Sequence, residues 1–105
     1  VQVVEVEPDG PMHGIEGLKH MATSLVPGIY RAGFSDRKIS MSTEEAWDAA
    51  RTLAREGIGV GMSAGAAFAA ARRVASELSS GVVVAVFCDG AERYLSTGLF
   101  ADAPA

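Results

Sequence analysis

The chain has 105 residues, close to half of them apolar, and a net charge of −4 from nine Lys and Arg against thirteen Asp and Glu. That length suits one small domain rather than two. The composition offers no basic stripe for nucleic acid and no run of about 18 apolar residues that would cross a bilayer. One cysteine and two histidines at wide spacing give neither an internal disulfide nor a zinc pattern. A reducing, cytoplasmic setting is expected, with no metal, membrane or nucleic-acid partner.

Val1 to Glu7 reads as a strand, apolar at positions 1, 3, 4 and 6, and Pro8-Asp9-Gly10 stops it. A strand with no helix before it is an unusual opening for an α/β domain and suggests a cut edge. Gly10 to Gly33 is rich in Gly and Pro and weakly periodic, which predicts a long loop with a helical turn near Leu18 to Thr23. Gly14, Gly17 and Gly28 would permit positive φ or close backbone approach to a ligand. By themselves Lys19 and His20 read as solvated loop side chains, and His13 as a turn residue.

Lys38 to Met41 predicts a short strand. Ser42 and Glu45 then form a capping-box pair, opening a helix with Ala46, Trp47, Ala50, Leu53 and Ala54 on one side and a stop at Gly57. After the apolar segment Ile58 to Met62, Ser63 begins an Ala-rich helix reaching about Leu78. Ser63 can be its N-cap, or can hydrogen-bond something lying at the helix's amino end. Small residues at 64, 66, 67, 69, 70 and 71 would let this helix pack closely on a sheet. Val82 to Phe87 runs apolar without alternation, as a parallel strand covered on both faces does. It would deliver Cys88 and Asp89 into the crevice at the strand's carboxyl end, where ligands of open α/β sheets sit. A thiol at a buried strand end with no cation or base beside it is packing rather than a nucleophile. Arg93, Tyr94 and Leu95 read as anchors of the chain to the domain, and residues 101–105 as a frayed end.

Gly61-Met62-Ser63-Ala64-Gly65-Ala66-Ala67, the helix, the apolar run, then Glu92-Arg93-Tyr94-Leu95-Ser96-Thr97 and Phe100 resemble the last third of the catalytic domain of cysteine synthases. These are pyridoxal-phosphate enzymes of the tryptophan synthase β fold. Cys88-Asp89 is similar to the cysteine synthase B branch, and the resemblance runs from about Val1 to Phe100. It implies an α/β fold, a three-layer sandwich with a mostly parallel sheet. Residues 1–105 would be the C-terminal portion of the large cofactor-binding domain, with no second domain.

The implied chemistry is β-replacement on O-acetylserine, or a similar activated serine, by sulfide to give cysteine. The implied cofactor contacts are Ser63, facing the pyridine nitrogen, with Cys88 and Asp89 at the pocket wall. Asp89 could supply a carboxylate to that nitrogen instead, but the spacing of Ser63 to Cys88 matches the family and favours Ser63. The resemblance also implies that His13 to Leu18 borders the substrate carboxylate, making Gly17 and Lys19 the substrate contacts. Lys19-His20-Met21 stands where most of the family has a further Gly with small residues, so the substrate stays open. No catalytic residue is expected in this chain: Lys19 and Lys38 are the only lysines, neither has the family's Schiff-base context, and no Gly-Thr-Gly-Gly-Thr phosphate loop is present. The expected partners are therefore a missing N-terminal portion or a second copy, in a homodimer. Cystathionine β-synthase, serine or threonine dehydratase, and a non-catalytic remnant that binds a partner chain are the alternatives.

Overall fold

The computed structural model describes residues 1–100, so the end expected to fray at 101–105 lies outside the described residues. Strand β1 (Val4–Pro8) pairs in parallel with strand β2 (Arg37–Met41), Val4 opposite Arg37 through Pro8 opposite Met41. Alternation along the strands turns Val6 and Ile39 to the core and sets Glu5 opposite Lys38 on the other face. Lys38 there bridges Glu5 at 3.1 Å and Glu7 at 3.7 Å. β1 starts later than the sequence predicts: Val1 to Val3 are exposed, and the Val3 carbonyl accepts from the Asp36 and Arg37 amides at 2.8 and 3.3 Å where β2 begins. The Val3 amide donates to Asp36 Oδ2 at 2.7 Å.

Helix α1 (Thr43–Arg55) opens as its sequence predicts, with Ser42 Oγ accepting from the Glu45 amide at 3.2 Å. It ends before Gly57, whose φ of +86° an L-residue would adopt only with strain. Its buried stripe is Ala46, Ala49, Ala50 and Leu53. Trp47, expected in the core, lies half-buried at the rim, where its indole donates to Gly14 O at 2.8 Å beneath the Arg51 guanidinium.

Helix α2 (Met62–Ser76) starts one residue earlier than Ser63, with Gly61 as the N-cap. The cap residue must be extended, and Gly61 takes that place because Tyr94 and Asp89 press against its Cα. Ser63 consequently lies within the first turn. The small face of α2 packs chiefly against α1 rather than the sheet. Gly65 lies directly over the Ala46 carbonyl and Ala50. The core gathers Ile15, Ile39, Met41, Met62, Leu99 and the alanines of both helices.

Val82 to Phe87 does not form the buried strand expected of it. Val82, Val84 and Val86 are 88, 83 and 71 % exposed, whereas Val83 and Phe87 are each 37 % exposed. That period of two is the signature of an extended segment with one side leaning on the domain. The lean is visible at Phe87, whose ring meets Phe68 of α2 edge-on at 6.5 Å. Hydrophobicity selects which residues want burial, but a strand exists only where a neighbour completes its ladder. Among the described residues none does. The α/β class and the parallel pairing are as expected, while the described residues do not complete a third layer.

After Gly81 the chain is secured by an antiparallel bridge between Val60 and Gly90, by the Ala91 amide donating to Gly59 O at 3.2 Å, and by a 3-10 turn (Ala91–Tyr94). Tyr94 and Leu99 are the buried anchors; Arg93 and Leu95 are exposed. No helix among the described residues is long and apolar enough to cross a membrane.

Candidate active site

The loop after β1 is held to the start of α1 at Gly14, whose amide donates to Thr43 Oγ1 at 3.0 Å while its carbonyl accepts from Trp47. Ile15 is fully buried next to it, and its carbonyl accepts from the Leu18 amide at 3.2 Å, closing a tight turn. Gly17 occupies the turn with φ +98°, the left-handed region that glycine adopts freely. The turn lays Gly17 across the first turn of α2, where a Cβ on it would stand 3.4 Å from Ser63 Oγ. Two residues implicated separately, Gly17 on the substrate side and Ser63 on the cofactor side, thus lie close together, with room between them for little more than a Cβ.

Gly17 and Lys19 also line a cleft of about 280 Å³ between the loop and β1, together with Glu5, Glu7 and Tyr30. Glu7 is almost fully buried and accepts from the Met21 amide at 3.4 Å. Its charge and that of Glu5 are opposed by Lys38, whose pKa is raised, chiefly by the hydrogen bond with Glu5. Lys38 is therefore committed to β1, while Lys19 is exposed and lines the cleft. His20 turns away to Thr23 Oγ1 at 2.9 Å, and His13 accepts from the Ile15 amide at 3.1 Å, so both serve the loop.

Asp89 lies at the same end of α2. The Tyr94 hydroxyl donates a short hydrogen bond to Asp89 Oδ2, and this bond is the main cause that pushes the phenol pKa up to about 12. Asp89 Oδ1 is buried with no hydrogen-bond partner among the described residues, 2.5 Å from where a Gly61 Cβ would be. Cys88 does not occupy the buried position expected of it: it is exposed, because the run that precedes it is uncovered. Glu7 and Tyr30 carry no signal in the sequence that would place them in this region, and Tyr94 reads there first as an anchor. The spacing of Asp89 and Tyr94 across Gly90 and the short turn was the available signal for that pair.

A parallel sheet, a helix whose amino end carries a hydroxyl and an orphaned carboxylate oxygen, and a glycine turn laid over it define an α/β ligand-binding fold of the tryptophan synthase β type. The chain belongs to the pyridoxal-phosphate dependent enzyme family, whose sequence profile it matches over residues 2–89. It is 50% identical over 107 residues to the cysteine synthase of Aquifex aeolicus, covering 97% of this chain and 33% of that protein. To cysteine synthase B of Pseudomonas aeruginosa it is 43% identical, covering 95% of this chain and 33% of that one. The crystal structure of cysteine synthase from Entamoeba histolytica superposes with a TM-score of 0.89 at 32% identity, over all of this chain and 34% of the other. The chain thus spans about a third of the length of the curated relatives it matches. The family's cofactor is pyridoxal phosphate, and this end of α2 fits one edge of it: Ser63 offers a hydroxyl, and Asp89 Oδ1 is a buried acceptor awaiting a donor.

Proposed function

We propose that residues 1–105 are the C-terminal portion of the large cofactor-binding domain of a cysteine synthase. The enzyme would replace the β-substituent of O-acetylserine, or a similar activated serine, with sulfide to give cysteine, as a cytoplasmic homodimer. The observation that carries this reading is the close approach of Gly17 to Ser63, which brings the turn that the resemblance assigns to the substrate side near the hydroxyl at the head of α2. Bound pyridoxal phosphate supplies the electron sink that makes the β-substituent labile. Ser63 would meet the pyridine nitrogen with a neutral hydroxyl, which, unlike a carboxylate, does not hold that nitrogen protonated; the ring would then be a weaker electron sink, favouring β-elimination over deeper carbanion chemistry. Lys19 draws the substrate carboxylate to the cleft, and Cys88 and Asp89 wall the cofactor side. Lys38 is held by Glu5 and Glu7, so the lysine that binds the cofactor covalently comes from polypeptide outside these residues.

The test uses the full-length polypeptide containing this chain, assayed for sulfide-dependent cysteine formation from O-acetylserine. Ser63→Ala is expected to weaken cofactor affinity about three- to tenfold, the worth of one neutral hydrogen bond, and to alter the cofactor's visible absorption. A silent Ser63→Ala beside a disturbed Asp89→Asn would transfer the ring-nitrogen role to Asp89. Lys19→Glu replaces attraction by repulsion at a part-exposed site and is expected to raise KM for the amino-acid substrate roughly tenfold. Because Lys19 is exposed, its melting temperature should hardly change. Equal loss of stability and affinity would return Lys19 to a structural role, and a substrate preference unrelated to O-acetylserine would favour a sibling reaction.

A further inference from the structure

Asp89 Oδ1 is buried and, among the described residues, unpaired, which is costly when no donor is supplied. Such a group calls for an explanation, and the carboxylate could escape by turning outward, since Asp89 as a whole is only half-buried. It is kept in by Tyr94, whose hydroxyl donates to Oδ2. Tyr94 is itself fixed: its side chain is buried against Gly61, and its carbonyl accepts from the Thr97 hydroxyl at 2.6 Å. The bridge between Val60 and Gly90, with the Ala91 amide donating to Gly59 O, ties the start of this unit to the segment that leads into α2. Besides Asp89, the charged groups that act on the phenol are Glu16 and Arg93.

We propose that Tyr94 is a positioning residue for the cofactor site: by holding Asp89 Oδ2, it keeps Oδ1 as a fixed acceptor at the amino end of α2, beside the edge of the group that Ser63 faces. This deepens the proposed function and rests on its placing the cofactor at that end of α2. Tyr94 touches no reacting atom; its effect passes through Asp89. The structural alternative is that Tyr94 merely fills space against Gly61.

The two are separated in the full-length enzyme by titrating pyridoxal phosphate into the apo form of wild type, Tyr94→Phe, Asp89→Asn and the double variant, beside their apo melting temperatures. Tyr94→Phe keeps the ring and its packing, and is expected to weaken cofactor affinity about three- to tenfold and shift the visible absorption band. In the Asp89→Asn background the same change should add nothing, since the acceptor through which Tyr94 acts is already altered. A Tyr94→Phe enzyme with a lower melting temperature but the wild-type affinity and spectrum overturns the inference, as do fully additive effects. Should Tyr94→Phe fail to fold, Asp89→Asn alone decides, an unchanged spectrum overturning it and a shifted one supporting it. If Ser63→Ala responds while both of these variants are silent, the proposed function stands and only the role of Tyr94 falls. A wild type that takes up no cofactor removes both.

Discussion

Gly65→Ala is expected to destabilise the domain by about 3 kcal/mol or more, although alanine is the better helix former by about 1 kcal/mol. A Cβ on Gly65 would overlap the Ala46 carbonyl oxygen and come within 2.9 Å of both the amide nitrogen and the Cβ of Ala50. Two of these three are backbone atoms in the middle of α1, so no side-chain rotation relieves the clash. The helices must separate, which uncovers Ala46, Ala49 and Ala50 on α1 and Ala66, Ala69 and Ala70 on α2, all now buried. Overpacking costs typically 1–3 kcal/mol when a core can adjust, and this seam of alanines has nothing longer to move. Thermal melting of the full-length protein measures it. For a domain this size each kcal/mol is worth roughly 4–8 °C, so a drop of more than about 10 °C is expected. Gly10→Ala is the control, since a Cβ there meets nothing within 4 Å, and it should be silent. A Gly65→Ala protein that melts with wild type would mean that the helices do not approach this closely.

The seam also shows where the sequence was and was not legible. Elements that carry their own signals came out as expected: the capping pair Ser42 and Glu45, the stop at Gly57, the short strand at Lys38 to Met41. Misplaced features depend on residues remote in sequence. Of the two roles open to Ser63 from sequence, N-cap or partner for something at the helix end, the cap went to Gly61, where Tyr94 and Asp89 leave no room for a Cβ. The alanines of α2 read as a sheet-facing surface, since small residues announce close packing without naming the partner, which is α1. Family resemblance, not spacing, singled out Gly17 and Ser63 as functional. Their proximity depends on the loop course that Trp47 and Thr43 fix at Gly14. Val82 to Phe87 shows the limit most plainly, because six apolar residues specify burial but not what does the burying.

From that run follows the last expected result: the 105-residue chain by itself should associate or remain partly unfolded, and should be monomeric and ordered there only when another polypeptide segment completes the sheet. Val82, Val84 and Val86 present their side chains to solvent, and burying each is worth about 1.5 kcal/mol or more. Three together give roughly 4–5 kcal/mol, while bringing two separate molecules together costs about 4 to 15 kcal/mol in lost freedom. Side chains alone therefore barely repay association between copies, which should be weak and rise with concentration. A segment of the same polypeptide does not carry that cost, because its effective concentration is already in the millimolar range. The balance favours a further segment of the same polypeptide over a second copy as the cover of this run. The two-stranded sheet of β1 and β2 points the same way, since a pair of strands is marginal until further strands or helices support it. Light scattering on a size-exclusion column, with amide exchange on the same sample, tests the idea. Expected are fast exchange across Val82 to Phe87 and a mass that grows with loading. Val84→Lys should suppress that growth by placing a charge on the open edge. A monomer at every concentration, with slow exchange through those six residues, would show that the run is already satisfied within this chain.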